Sequence, residues 1–334
     1  MSRAIRYVLS GILTIVFLIV AFKGTDPSTL WESMREVDYT WMALSFGCLM
    51  FSHLFRALRW RYLLDPVKPG IGLRNLFSGV MIGYLFNNIL PRAGEFARPY
   101  AIARLESLPT SAAFGTIVIE RVIDGVTFLI LLAMLPLLYS GPLLETFPWL
   151  IPSGIVGSVV IVFSLAALVA LTIRRDWTDV LLRKATHILP ERFNRKLSGA
   201  AHAFLDGFLF LTRPAHFLTI GILSFLVWFL YAVMTYFSII AFHLESVLNF
   251  LAATVVLTIS SVGIALPTPG GIGSYHVLTV QSLVKLFGVD PSVALGFAAV
   301  THAVSFIGVS IVGLYFAWHD NVRMTETVGR KADE

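Results

Sequence analysis

A single cysteine, Cys48, stands among 334 residues, which excludes an intramolecular disulfide and a Cys-rich metal cluster. Set in an apolar run, it reads as a buried, inert thiol. Charge is scarce as well: 13% of residues are Asp, Glu, Lys or Arg against 57% hydrophobic. A soluble domain of this length does not carry that balance, and a multispanning membrane protein does. The sequence has no Walker-type phosphate loop and no Asp-x-Asp, so neither nucleotide-driven motion nor a paired-acid magnesium site is indicated, and no cofactor is expected. The net charge of +5 does not point to nucleic acid, because the basic residues sit beside hydrophobic spans, where membrane orientation is the usual cause.

What is present is apolar sequence in long runs. Six are long enough to cross a hydrocarbon core of roughly 30 Å: 7–22, 40–58, 111–139, 149–173, 216–242 and 291–318. The first lacks a small-x-small cleavage pattern and is expected to be a retained span. Two further stretches, 75–105 and 249–287, are apolar but broken, at "LPRAGEFARP" and "LPTPGGIGSYH". Proline and glycine stop a straight helix there, and irregular backbone is tolerated at membrane depth only where protein or water covers it. Each reads as a hairpin of two half-helices, with a pair of short spans as the other fit. Segments 26–38 and 193–211 carry apolar residues at helical spacing and are expected to be amphipathic surface helices or connectors packed on the bundle.

With the N-terminus inside, 21 of the 25 Lys and Arg fall in segments assigned to the cytoplasmic side, including five from Arg56 to Arg74 and eight from Arg174 to Arg213. This obeys the positive-inside rule and predicts two cytoplasmic termini, in an integral membrane protein of a prokaryotic cell membrane type. Leu90-Pro91-x-x-Gly94 and Leu266-Pro267-x-x-Gly270 lie 176 residues apart. The same offset carries the second span onto the fifth and the third onto the region of the sixth. Each half then reads span, span, broken hairpin, span. An odd number of crossings per half inserts the second half upside down, as in inverted-repeat transporters. The fold expectation is an all-α polytopic membrane protein with about six full spans plus two broken or re-entrant hairpins. Its parts are a first repeat (1–140), a second inverted repeat (141–320, containing a cytoplasmic amphipathic segment at 176–213) and a tail (321–334).

The breaks carry the candidate chemistry. Arg92, Arg98 and Arg104 flank the first, with Glu95 within reach of Arg98 at i, i+3. The third span opens with "VIERVIDGV", placing Glu120 and Asp124 on one face beside Arg121. Arginine forks suit phosphate and carboxylates orient them; an ion-paired scaffold pinning the hairpin to the third span explains the same residues equally well. At the second break Gly270, Gly271 and Gly273 permit a tight turn ahead of a half-helix near Tyr275 and His276, whose N-terminal amides suit an anion. Close packing alone is the other account of those glycines. His53 and His302, lone polar groups on apolar helices, read as satisfied core histidines before proton relays.

The end of the second span, "RALRW" at 56–60, with "NNILPRAGEFARPY" at 87–100, "ERVIDG" at 120–125 and "PTPGGIGSYH" at 267–276, resembles the transmembrane region of the lysylphosphatidylglycerol synthases, a flippase-like family. The resemblance covers nearly the whole chain and implies a membrane unit that moves lipid between leaflets. In the synthases a separate soluble C-terminal domain makes the aminoacylated lipid. Here about 16 residues follow Trp318, so that activity is not carried over and no enzyme is expected. The lipid headgroup site is expected at Arg92, Glu95, Arg98, Glu120, Arg121, Asp124, Gly270, Gly271, Gly273, Tyr275 and His276, with an anionic phospholipid or polyprenyl-phosphate as cargo and no metal. A membrane-embedded lipid or glycosyl transferase, or a non-transporting partner of such an enzyme, is the alternative.

Overall fold

The computed structural model describes residues 12, 14–173, 191–266 and 268–321, and is helical throughout among them. A helix over 14–21 (α1) leads to α2 (Pro27–Arg35), α3 (Tyr39–Leu64), α4 (Leu73–Ile89), α5 (Gly94–Glu106) and α6 (Thr110–Leu138). The second half runs through α7 (Leu143–Thr146), α8 (Leu150–Ile173), α9 (Glu191–Asp206), α10 (Phe217–Ala241), α11 (Phe250–Ala265), α12 (Ser274–Phe287) and α13 (Pro291–His319). Among the described residues five helices are long and apolar enough to cross a membrane: Tyr39–Leu64, Thr110–Leu138, Leu150–Thr172, Pro214–Ala241 and Pro291–His319. The chain is an all-α polytopic membrane protein. Residues 7–11 and 13 of the expected first span, 176–190 of the expected cytoplasmic segment and the tail from residue 322 lie outside the described residues; the described part of the first span is the short α1.

Both broken stretches are helical hairpins. α4 ends at Leu90 in extended backbone, Arg92 adopts a left-handed φ of 60°, and α5 restarts at Gly94. The hairpin closes where a Cβ on Gly94 would overlap the Gly83 carbonyl, so only glycine admits that approach. Its two ends meet at one base: Lys68 Nζ donates to the Glu106 carbonyl (2.6 Å) and carboxylate (2.8 Å), and Asn75 Nδ2 donates to the same carboxylate (2.6 Å). That base adjoins the start of α6. The second hairpin has its base at the other end of α6, where the Tyr139 hydroxyl donates to the Leu286 carbonyl at 3.2 Å. Leu132, Leu135, Val255 and Ile259 form one core there, with Leu286 and Phe287 packed against it.

The hairpin tips meet between these bases. Arg92 Nη2 lies 3.5 Å from the Ala265 carbonyl, and Gly270, at φ 57°, packs against Asn88, leaving 3.6 Å between its ideal Cβ and the Asn88 Cα. Asn88 Nδ2 in turn donates to the Phe306 carbonyl and the Ser310 hydroxyl of α13. α3 and α10, counterparts at the 176-residue offset, pack antiparallel: Asp38 N donates to the Ala241 carbonyl (2.9 Å), Ser45 Oγ to the Met234 carbonyl (2.9 Å) and Arg59 Nη1 to Ser224 Oγ (2.9 Å). α4 and α13 are antiparallel as well, with Arg74 at Asp320 and Asn88 at Phe306.

Two expectations change and one open alternative is resolved. α3 continues six residues past the expected end of the second span, to Leu64, so Arg56 and Arg59 are not in a cytoplasmic connector; ion pairing described below lets the helix carry them inward. Cys48 is half-exposed, not buried. Both amphipathic segments are connectors packed on the bundle. Leu30 and Met34 of α2 pack against Gly296 and only Trp31 of the expected face points outward, while α9 ends on α6 through the close approach of Gly207 to Gly115.

Candidate functional site

The first hairpin is fastened to α3 and α6 by a buried charge cluster. Arg56 Nη1 donates to Glu120 Oε1 (2.9 Å) and Asp124 Oδ2 (2.6 Å); Arg59 Nη2 donates to Asp124 Oδ1 (2.6 Å) and lies 3.3 Å from Glu120 Oε1. Arg98, from α5, donates through Nη1 to the same Glu120 oxygen at 2.9 Å. α6 supplies both acids because Glu120 and Asp124 are one turn apart on one face; α3 supplies Arg56 and Arg59 on one face at i, i+3. Counted from the helix ends at the hairpin base, at 1.5 Å per residue, Arg59 stands about 8 Å in, Arg98 about 12 Å and Glu120 about 15 Å. Isolated charges at such depth cost roughly 2.5–3.5 kcal/mol each on insertion scales, which mutual pairing offsets.

Trp60 floors the cluster. The Arg98 guanidinium carbon lies 3.8 Å from its ring centroid, Trp60 Nε1 donates to Thr116 Oγ1 (2.9 Å), and Gly79 leaves room for the ring where a Cβ would come to 3.1 Å. This cation–π contact fixes the Arg98 plane. Three guanidinium groups face two carboxylates, an excess of one positive charge. Among the described residues Arg98 Nε and Nη2, Arg56 Nε and Arg59 Nε have no hydrogen-bond partner, and neither does Glu120 Oε2. Buried donors and acceptors left in this way are costly and are normally satisfied.

The remaining charges form an outer rim. Arg121 is 45% exposed, 4.0 Å from Glu95 and 3.5 Å from Asp124. Arg92 is exposed at the tip. The expected Glu95–Arg98 pair does not form: α5 turns Glu95 toward Arg121 and Arg98 inward to Glu120. Arg104, in the last turn of α5, donates to the Tyr100 hydroxyl one turn back at 3.4 Å.

At the second break the amides of Gly271, Ile272 and Gly273 are already used. Gly271 N donates to the Thr268 carbonyl, Ile272 N to the Pro269 carbonyl and Gly273 N to His276 Nδ1 (3.3 Å). The turn is therefore a tight packed reversal here, with Gly273 against Phe17 and Thr14 of α1. Tyr275 donates to or accepts from Thr301 (3.1 Å) and stacks on His302 at 5.2 Å. His302 is satisfied by the Gly270 carbonyl (2.9 Å). His53 stacks on Tyr84 at 4.2 Å, and its buried Nδ1 has no hydrogen-bond partner among the described residues.

The sequence reading of the site omits Arg56, Arg59, Trp60 and Ser224. The first three were visible as a charged, aromatic end to an apolar run; Ser224 carried no signal. Beside Ser224 an apolar groove of about 730 Å³ opens between α6, α10 and α11, lined by Ile123, Ile130, Phe225 and Trp228 among others.

The sequence matches the lysylphosphatidylglycerol synthase TM region over residues 5–313. It is 26% identical to a UPF0104 membrane protein of Methanothermobacter thermautotrophicus, covering 91% of this chain and 94% of that one. It is 23% identical to the UPF0104 membrane protein MJ1595 of Methanocaldococcus jannaschii, covering 89% of each. It is also 22% identical to the glycosyltransferase AglD of Haloferax volcanii over 99% of this chain, which spans 57% of AglD. No solved structure matches significantly. An all-helical chain with this cluster, matched along nearly its whole length, belongs to the lysylphosphatidylglycerol synthase TM region family.

Proposed function

We propose that this protein moves an anionic lipid, of phospholipid or polyprenyl-phosphate type, between membrane leaflets by alternating access. The observation that carries the reading is the uncompensated positive charge at the first hairpin: Arg98 presents two unpartnered donors beside a cluster with more guanidinium than carboxylate groups. A phosphate is the ligand that satisfies such donors best, since its oxygens take the arginine fork bidentately. In the closed arrangement described here the headgroup meets the rim, Arg92 and Arg121, with Glu95 orienting Arg121. Separation of the hairpin from α3 and α6 then exposes Arg98, and the phosphate takes the place of Glu120 on it. Glu120 Oε2 is left to accept from hydroxyl or amino groups of the headgroup.

The two hairpins, based at opposite ends of α6 and meeting at their tips, suit an inverted repeat in which one half rocks against the other. On this reading residues 1–140 and 141–320 are the two repeats, both termini are cytoplasmic, and the lipid chains remain in the bilayer while the headgroup crosses. A second reading, a lipid or glycosyl transferase or the membrane partner of one, draws on the printed name of AglD.

The test is purification in native lipid with mass spectrometry of co-purifying lipids, followed by headgroup movement in proteoliposomes. Wild type is expected to retain anionic lipid and to move it without forming product. Arg98→Ala, which balances the cluster at two charges of each sign, is expected to lose both. Equal retention and equal movement in the two proteins would remove the phosphate site, and product formation would favour the transferase.

A further inference from the structure

The apolar groove between α6, α10 and α11 has no part in holding a phosphate, and its wall shows what it accepts instead. Its volume is about 730 Å³. The hydroxyl groups in the wall are those of Thr127, Ser224 and Thr254, and each donates to a carbonyl of its own helix: Ile123 (2.9 Å), Ile220 (2.8 Å) and Phe250 (3.0 Å). The wall therefore uses its donors internally and offers a ligand little besides hydrocarbon surface. Val126, Ile130, Phe217 and Phe225 are exposed along it, so the groove opens sideways, where lipid meets the helices. At Gly221 an added Cβ would meet nothing within 4 Å; the glycine leaves the floor of the groove open and admits no neighbouring backbone.

We infer that the groove holds a hydrocarbon chain of the lipid whose phosphate the charge cluster takes, and that it favours a chain longer than one leaflet, as a polyprenyl phosphate has. One guanidinium joins the two sites: Arg59 donates to Ser224 Oγ in the groove wall (2.9 Å) and to Asp124 Oδ1 in the cluster (2.6 Å). Asp124 and Ser224 therefore stand at one depth, on the seam between α6 and α10. Ile123 faces the groove while Asp124, next to it, faces the cluster. Further along the seam the Phe128 and Trp228 rings close it, with centroids 5.7 Å apart. A lipid entering sideways at this seam has its phosphate on one side and its chain on the other. The phosphate answers the excess positive charge, and the chain packs on the apolar wall.

The preference for length follows from the reach of the groove. Along α6 its wall runs from Ile119 to Met134, about 8 Å before Asp124 and about 15 Å beyond it; along α10 it runs from Phe217 to Ala232, about 10 Å before Ser224 and about 12 Å beyond. That is about 22 Å on either helix. One leaflet of a hydrocarbon core of roughly 30 Å is about 15 Å deep, so a chain lying along the whole groove crosses the bilayer midplane. An acyl chain confined to its leaflet covers part of the wall, and a polyprenyl chain covers all of it. Lipid tails are as apolar as the groove, so the preference comes from packing along its length and not from leaving water. Because the groove continues on both sides of the cluster, the chain can turn over within it while the headgroup passes. The inference rests on the lipid reading above and narrows its cargo.

The probe is a polyprenyl phosphate with a diazirine on its chain, added to the intact protein in phosphatidylcholine nanodiscs, photolysed, and located by mass spectrometry. Cross-links are expected on α6 and α10 around Ile130 and Phe225, well above those on the exposed Val162 and Phe163 of α8. Gly221→Leu fills the floor of the groove without meeting a neighbour and is expected to cut this labelling on the order of tenfold, about 1.4 kcal/mol of lost contact. Gly47→Leu, between exposed Leu44 and Phe51 on α3 with equally open space, is expected to leave it unchanged. Unlabelled phosphatidylglycerol is expected to compete about tenfold less well than unlabelled polyprenyl phosphate. Equal competition by the two lipids, labelling spread evenly onto α8, or labelling unaffected by a Gly221→Leu protein of native unfolding midpoint overturns the inference. Disulfide-linked dimers of Phe225→Cys in a Cys48→Ala background, with the groove unlabelled, give the face to a second copy and overturn it too. Polyprenol, the chain without the phosphate, separates the two readings: if it competes as well as the phosphate and no lipid moves in proteoliposomes, the chain site stands and the phosphate site is lost. Equal lipid movement by native and Gly221→Leu protein leaves the lipid reading standing and removes the chain site.

Discussion

At the residue scale, the cluster on α6 shows how much a charge inside a membrane helix depends on its partners. Glu120 accepts from Arg56 and Arg98 and adjoins Arg59 through a single oxygen. Glu120→Gln therefore leaves three buried arginines against Asp124 alone, and removing one partner of a buried network costs about 3–5 kcal/mol. Its thermal unfolding midpoint in detergent is expected to fall well below that of Arg121→Gln, whose guanidinium is 45% exposed and contributes less than about 1 kcal/mol. Two carboxylates outside the spans set a pH dependence. Burial opposes the ionised Asp320, yet hydrogen bonds from Ser78, Arg74 and His319 outweigh it and hold its pKa below the ordinary value. Burial likewise opposes ionised Glu106 and is outweighed by Lys68 and Asn75. Both groups are depressed in the folded chain, so their stabilisation is complete above the ordinary carboxylate pKa of about 4 and is lost as pH falls through the lowered values. The midpoint should be insensitive to these two groups from about pH 8 to 5 and drop below about pH 4. Asp320→Asn should remove part of that drop while lowering the midpoint at neutral pH.

At the scale of elements, both broken hairpins were legible because proline and glycine interrupt apolar runs too long for one half-helix and too irregular for a span. The interruption at Leu90 to Ala93 falls between α4 and α5, and that at Leu266 to Gly273 between α11 and α12. The end of α3 was not legible. Arg56, Arg59 and Arg61 read as a loop because hydropathy counts a charge without its partner, and the partners Glu120 and Asp124 lie some 60 residues on. The same blindness hid Ser224, a polar residue whose role exists only once α10 lies against α3. The outward face of Trp31 likewise depends on which side of α2 meets Gly296. The closure of the first hairpin gives a sharp test. Gly94→Ala places a methyl group on the Gly83 carbonyl and is expected to abolish the folded monomer peak in size-exclusion chromatography. Gly47→Ala, also helical but with open space around its Cβ position, should fold normally or gain up to about 1 kcal/mol.

At the scale of the whole molecule, the 176-residue offset in the sequence corresponds to contacts: α3 on α10 in antiparallel register, and two hairpins based at opposite ends of α6. If those ends lie on opposite membrane faces, single cysteines at Pro69, beside the first base, and Ser246, before α11, should react with an impermeant maleimide from opposite sides of sealed vesicles. Labelling from one side only would break the inverted arrangement. The central claim is that the excess charge at the first hairpin serves a passing lipid phosphate, and it is tested most directly in proteoliposomes containing fluorescent phosphatidylglycerol in one leaflet, with Arg98→Lys and Arg98→Ala compared under identical reconstitution. The account predicts lipid movement by the native protein, partial movement by Arg98→Lys, which keeps the charge without the fork, and movement at the protein-free rate by folded Arg98→Ala. Equal rates in all three would show that Arg98 serves only to hold Glu120.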